Sequence, residues 1–240
     1  MKNKNEEHFT EGTSCDIENK NCCCQSENTI ETFDRKNHWE NIYKTKPLEE
    51  SGWYQQTPTT SLEAIKKFNV PTTAKIIDIG GGDSFLVDRL LDLGYQDLTV
   101  LDISAASLDR AKQRLGAKAQ EVKWIVADVA NFKPTEQYDY WHDRAAFHFL
   151  IQEQDIENYI DTAKQSIKPS GILFIGTFSE QGPKKCSGIE IKQYSDISLC
   201  DRVKGYFEKI ECIPVDHKTP SGVIQNFVFC SFKRTNEIGK

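Results

Sequence analysis

The chain has 240 residues, 38% hydrophobic and 28% charged, with a net charge of −6. That length fits one domain with additions, and the acidic balance argues against nucleic acid as the default partner. No apolar run approaches the roughly 20 residues of a membrane span, and the polar N-terminus lacks a secretory pattern. The expectation is therefore a cytoplasmic protein with no membrane partner.

Residues 1–36 are rich in Asn, Glu and Lys and carry a charge of −3, half that of the chain. Such a segment buries too little apolar surface to offset its ordering entropy. It reads as a disordered tail ahead of a single domain over 37–235. Of eight cysteines, Cys15, Cys22, Cys23 and Cys24 fall in the tail; Cys186, Cys200, Cys212 and Cys230 are scattered near the other end. No pair of CxxC units supports a zinc site, and reduced thiols are expected rather than a disulfide framework. The triple cysteine has the softness for a soft metal or metalloid, although adjacent residues do not easily face one ion together.

Order is expected from Asn37. His38-Trp39 and Ile42-Tyr43 have helical spacing, and Pro47 stops that helix. Trp53-Tyr54 follow in a loop. Thr60-Ser61-Leu62-Glu63 has the form of a capping box, opening a helix through Ala64, Ile65 and Phe68. These two helices make an N-terminal helical cap. Strand and helix then alternate: a strand at Ala74–Ile79, a helix over Ser84–Leu93 closed by Gly94, and a strand at Leu98–Leu101. Ser104 caps a helix carrying Ala105, Leu108, Ala111 and Leu115, and Val122–Val126 is the third strand. Tyr138–Trp141 is a short fourth strand. A helix through Ile156, Tyr159, Ile160, Ala163 and Ile167 leads to a fifth strand, Ile172–Ile175. A loop through Gly182, Pro183 and Gly188 precedes a helix over Ser195–Val203. Two strands, Phe207–Ile213 and Ile224–Phe232, end the chain as an antiparallel hairpin. Right-handed crossovers make the rest a parallel sheet covered on both faces. The fold class is α/β.

Ile76-Ile77-Asp78-Ile79 runs into Gly80-Gly81-Gly82 and then a helix, which is a strand, a tight turn and a helix N-terminus. Gly80 and Gly82 match a dinucleotide fingerprint, but Phe85 occupies its third glycine position and opposes the close helix–strand packing it requires. No P-loop sequence is present. The turn therefore suits a ligand without a phosphate cluster. Asp102 follows the second strand, where a carboxylate accepts both ribose hydroxyls. Asp128 follows the third, where it accepts from an exocyclic amine. Both lie on the strand edge where open sheets bind ligands.

Asp78 through Ser84, Asp102 and Ala127-Asp128-Val129 together resemble the class I S-adenosylmethionine-dependent methyltransferases over about residues 37–234. The resemblance implies a Rossmann-like three-layer sandwich with a mostly parallel seven-stranded sheet and an antiparallel terminal strand. It implies S-adenosyl-L-methionine as cofactor. Gly80 and Gly82 would approach the methionine part and Asp78 would lie near its amino group. Asp102 and Ile103 would serve the ribose end, and Asp128 and Val129 the adenine. Ser84 stands where the family often has a third glycine.

The acceptor side is expected after the fourth and fifth strands. His142, Asp143 and His148 are the acid/base candidates there; an Asp143–Arg144 ion pair and a packed His148 are the structural alternative. An Asn/Asp-Pro-Pro-aromatic motif of amino-methylating nucleic-acid enzymes is absent. The segment, with His38-Trp39, is also similar to lysine methyltransferases of elongation factors, although only Asp143 matches their Asp-Lys-Gly-Thr. The acceptor is thus read as a small molecule or a protein lysine, with a thiol or metalloid acceptor, a non-catalytic binding module and a nicotinamide dehydrogenase as alternatives. Lys184, Lys185 and Cys186 sit in a loop expected over the site, and Tyr194, His217 and Gln225 are further pocket candidates.

Overall fold

A computed structural model describes residues 33–235; the tail cysteines lie outside the described residues. In chain order the elements are α1 (Arg35–Thr45), α2 (Thr59–Lys67), β1 (Lys75–Ile79), α3 (Leu86–Asp92), β2 (Asp97–Asp102), α4 (Ala105–Leu115) and β3 (Val122–Val126). Then come β4 (Tyr138–Arg144), α5 (Glu153–Ser166), β5 (Ile167–Phe178), the two-residue β6 (Lys185–Cys186) and β7 (Ile189–Glu190), α6 (Asp196–Val203), β8 (Phe207–Lys218) and β9 (Ile224–Arg234).

Seven strands form one sheet in the order β3-β2-β1-β4-β5-β9-β8. The first five run parallel, and β9 is antiparallel to both β5 and β8. The chain leaves β1 toward β2 on one side and returns to β4 on the other. That reversal opens a crevice at the carboxyl ends of β1 and β4.

The period of two along each strand splits the core into two layers. Ile77 and Ile79 of β1 and Trp141 of β4 face α5 and α6, packing with Ile156, Tyr159, Ile160, Leu199 and Val203. Ile76, Val100 and Tyr140 face the other way, against Ala64 and Ile65 of α2, Leu86 and Leu90 of α3 and Leu108 of α4. The result is the helix–sheet–helix sandwich expected of an alternating pattern.

Several boundaries differ from the sequence reading. Helix α1 begins at Arg35, capped by Asp34, whose carboxylate accepts the Asn37 N–H at 3.0 Å. A polar composition hid this cap. The capping box at Thr60 does not form: α2 starts at Thr59, directly after Pro58, without a side-chain cap. Ser61 is instead fully buried and bonds His142. Strand β5 starts at Ile167, well before Ile172. Its pairing shifts from Tyr138↔Ile167 to Tyr140↔Ile172, and the irregular stretch between holds Pro169 and Ser170 at φ 65°. Strand β8 continues through Pro214, which an edge strand tolerates because it need not donate on its open side. The expected loop at Gly182–Gly188 contains the β6–β7 hairpin, turned by Ser187 (φ 51°) and Gly188 (φ 83°), the positive-φ pair of a tight hairpin turn.

The thiol expectation needs one correction. Cys212 and Cys230 lie directly opposite each other on β8 and β9, with Cα atoms 4.1 Å apart, and are joined by a disulfide. Only the hairpin register brings them together, and spacing alone does not reveal it. Cys186 and Cys200 are free thiols.

Candidate active site

The turns after β1, β2 and β3 converge on one cleft with a cavity volume of about 110 Å³. From them Gly80, Gly81, Asp102, Ile103, Asp128 and Val129 line it. Gly80 and Gly82 have φ of 63° and 49°, where a Cβ is strained. A Cβ on Gly82 would also stand 2.7 Å from the Tyr43 hydroxyl oxygen, and one on Gly81 2.6 Å from Asp78 Oδ2. Gly82 is packed beneath Tyr43 and does not itself line the cleft. Arg114 fixes this turn from α4 by donating to the Asp83 and Ser84 carbonyls at 2.8 and 2.9 Å.

Asp102 is 4% exposed. Burial pushes its carboxyl up to about 7; the Ser104 N–H, donating to Oδ1 at 2.8 Å, opposes that rise, and nearby Asp83 and Asp78 add to it. A group bringing hydroxyl donors would relieve this poorly solvated carboxylate. Asp128 is less free. Its Oδ1 accepts the Ala130 N–H at 3.0 Å, and its Oδ2 pairs with Arg35 Nη2 at 2.8 Å.

Arg35 also reaches Asp155 at 2.8 Å, so it joins α1 to the β3 turn and to α5. Glu40 accepts the Ser104 hydroxyl at 2.7 Å, and Arg110 donates to the Tyr43 and Lys46 carbonyls. Helix α1 is thereby held over the cleft through the side chains of Arg35, Glu40 and Arg110. It supplies Trp39 and Tyr43, which form an aromatic wall with Trp53 and Phe149: Trp39 is 4.9 Å from Phe149, and Tyr43 is 5.7 Å from Trp53, between ring centroids.

The three acid/base candidates are placed apart from one another. His142 lines the cleft but has no free nitrogen: Nδ1 meets Asp78 Oδ1 at 2.6 Å and Nε2 meets Ser61 Oγ at 2.8 Å. Asp143 points to the opposite face of β4. Its Oδ1 accepts the Ala146 and Phe147 N–H groups and its Oδ2 the Tyr159 hydroxyl. Burial raises its carboxyl to about 6 against those bonds. It does not pair with Arg144. His148 is buried between Phe149 and Phe178, both at 4.6 Å, where its Nδ1 accepts the Phe178 N–H. Burial lowers its pKa to about 3. Asp143 and His148 do not line the cleft; His148 is packed as the alternative has it, while the alternative's Asp143–Arg144 pair gives way to the bonds from Ala146, Phe147 and Tyr159.

Residues 76–171 match the family described as a methyltransferase domain. The chain is 24% identical to the mouse eEF1A lysine and N-terminal methyltransferase over 124 residues, 51% of this chain and 18% of that protein. It is 30% identical to the malonyl-[acyl-carrier protein] O-methyltransferase of Anoxybacillus flavithermus over 119 residues, 49% of this chain and 44% of that protein. Among solved structures, the N-methyltransferase NodS of Bradyrhizobium japonicum WM9, in complex with S-adenosyl-L-homocysteine, superposes with a TM-score of 0.64. Its identity is 13%, covering 83% of this chain and all of that one. Residues 76–171 are thus methyltransferase-domain sequence, set in the Rossmann-like fold of the S-adenosylmethionine-dependent methyltransferases.

S-adenosyl-L-methionine is the cofactor of this methyltransferase family, and the cradle fits it. Three adjacent strand ends offer a side-chain-free turn, a buried carboxylate with hydrogen-bonding capacity to spare, and a half-buried carboxylate beside Val129. Composition hid the methyltransferase's Arg35, which reads as part of the tail. Arg144 was noticed only as an ion-pair partner for Asp143. It extends β4 past its expected end, lines the cleft, and donates from Nη2 to the Trp53 carbonyl at 2.9 Å. His217 lies further out, 7% exposed, bonded to Gln55 and to the Gly52 carbonyl on the loop that carries Trp53. Among the described residues no cluster of His, Cys, Asp and Glu suits a metal ion, and no helix is long and apolar enough to cross a membrane.

Proposed function

We propose that this chain transfers a methyl group from S-adenosyl-L-methionine to a small-molecule or protein-lysine acceptor. The observation that carries the reading is convergence: Gly80-Gly81, Asp102-Ile103 and Asp128-Val129, from three successive strand ends, line one cleft. Bound there, S-adenosyl-L-methionine supplies a methyl group already activated on a sulfonium.

The chain's own residues then have positional work. Asp102 accepts from the ribose hydroxyls, Asp128 and Val129 flank the adenine, and the Gly80–Gly82 turn admits the methionine part beside Asp78. Asp78 is oriented by His142. The wall of Trp39, Tyr43, Trp53 and Phe149 excludes water and confines the acceptor, which shortens the search for in-line geometry. The relatives named as lysine and O-methyltransferases support both acceptor classes. Incubating radiolabelled S-adenosyl-L-methionine with the protein and a cell extract, then separating protein from small molecules, tests the reading. Label transferred above an Asp102→Ala control is expected; transfer equal to that control contradicts it.

A further inference from the structure

Arg144 forms no ion pair with any acidic side chain among the described residues, although it is half-buried beside Trp53. The carboxylates that share its cleft are occupied or committed elsewhere. Asp78 is bonded to His142, Asp128 is paired with Arg35, and Asp102 lies against Gly82 at the end of β2, two strands away from β4. Asp78 acts on the guanidinium electrostatically, but its carboxylate is hydrogen-bonded to His142 and forms no ion pair with it; a partly desolvated guanidinium so placed is an anion receptor, and its fork suits a carboxylate.

Apart from Asp78, Asp102 and Asp128, which the methyl-transfer reading gives to the cofactor, the same cleft offers no base for a cationic acceptor. An ammonium must lose a proton before it can accept a methyl group. Both His142 nitrogens are engaged, while Tyr43 and Cys186 have raised pKa values from burial and are proton-bearing at neutral pH. A lysine ammonium would also meet Arg144 as a like charge. A carboxylate meets neither obstacle, being ionised and nucleophilic at neutral pH.

We propose, resting on the methyl-transfer reading above, that the acceptor is a small molecule bearing a carboxylate, held by Arg144 against the aromatic wall and methylated on that carboxylate. One carboxylate oxygen stays on the guanidinium. The other forms the new bond to the methyl carbon as the carbon–sulfur bond breaks, its electron pair going to sulfur. The products are a methyl ester and neutral S-adenosylhomocysteine, and no proton moves.

The experiment uses the full chain and Arg144→Gln, with calorimetry of S-adenosylhomocysteine, methylthioadenosine (which lacks the amino-acid part), and benzoate added to the S-adenosylhomocysteine-saturated protein. The unsubstituted complex should bind benzoate at millimolar concentration. R144Q should weaken that binding about tenfold or more while both nucleosides bind as before. With methyl-labelled cofactor and the small-molecule fraction of a cell extract, label should become volatile methanol under mild alkali. Alkali-stable label, label on protein, or no benzoate binding overturns the proposal. R144Q weakening S-adenosylhomocysteine but not methylthioadenosine assigns Arg144 to the cofactor's own carboxylate, and also overturns it. If R144Q shows no thermal transition, Arg144→Lys carries the test: it keeps the charge, loses the fork, and should bind benzoate measurably less well. Failure of the unsubstituted protein to bind either nucleoside overturns the methyl-transfer reading itself, a result distinct from all of these.

Discussion

His142 and Asp78 face each other across neighbouring parallel strands, Nδ1 to Oδ1 at 2.6 Å, and the second nitrogen of His142 meets Ser61 of α2 at 2.8 Å. The imidazole is stacked on Phe174 at 5.4 Å. This histidine ties the sheet to the N-terminal helices and orients the acid before the glycine turn. His142→Phe should therefore cost stability, about 2–5 kcal/mol, because a carboxylate and a hydroxyl lose their buried partner. Urea denaturation measures this. A general base would show the reverse, a fall in turnover with the denaturation midpoint unchanged.

Asp143 and His148 should behave as packing residues. Asp143→Ala leaves the Ala146 and Phe147 N–H groups and the Tyr159 hydroxyl without their acceptor. A loss of about 2 kcal/mol is expected. His148→Phe leaves the Phe178 N–H without its acceptor and should cost about 1–3 kcal/mol. With His148 held neutral by a pKa near 3 and the Asp143 carboxyl raised only to about 6, neither substitution should move the pH profile of methyl transfer between about pH 7 and 9. A profile shifted in either variant would return these residues to the chemistry.

Cofactor affinity should depend on Asp102 and on pH. Burial raises its carboxyl to about 7. Ribose hydroxyls donating to the ionised form lower that value, so binding releases a proton below about pH 7. Affinity should then rise with pH, by up to about tenfold per unit between pH 5 and 7, and level off above. Calorimetry in buffers of different ionisation enthalpy reads the proton release directly. For folding the sign is opposite: a raised carboxyl contributes most at low pH, and that contribution is lost as pH rises from about 4 to about 7.

Ala145 occupies φ 71°, a region unfavourable for a residue with a Cβ, just where β4 opens into the cleft. Ala145→Gly should relieve this strain and stabilise the fold by up to about 1 kcal/mol, after the glycine's own unfolded-state entropy is counted. Thermal denaturation tests it. A lowered melting temperature would mean that the methyl packing outweighs the strain.

The sheet was legible because its strands are short apolar runs punctuated by glycines and capping residues; Ser104 caps α4 as read, and Gly116, at φ 57°, ends it. The turns lining the cleft were legible for the same reason, since acids and glycines recur at the strand ends. What the sequence concealed depends on register and long-range approach. Arg35 and Asp34 have tail-like composition but cap and clamp α1. Cys212 and Cys230 meet only through the β8–β9 pairing. His142 and Asp143 are adjacent in sequence, yet alternation along β4 sends one to the cleft and the other to the opposite core, which no motif states.

The central claim is that three strand ends build one S-adenosyl-L-methionine site. The direct measurement is calorimetric titration of S-adenosylhomocysteine into the protein and into Asp102→Ala and Gly82→Ala. The unsubstituted chain should bind in the micromolar range, D102A about 10–100-fold more weakly, and G82A more weakly still because its Cβ meets Tyr43. Equal affinity in all three, or no binding to the unsubstituted chain at millimolar concentration, would contradict it.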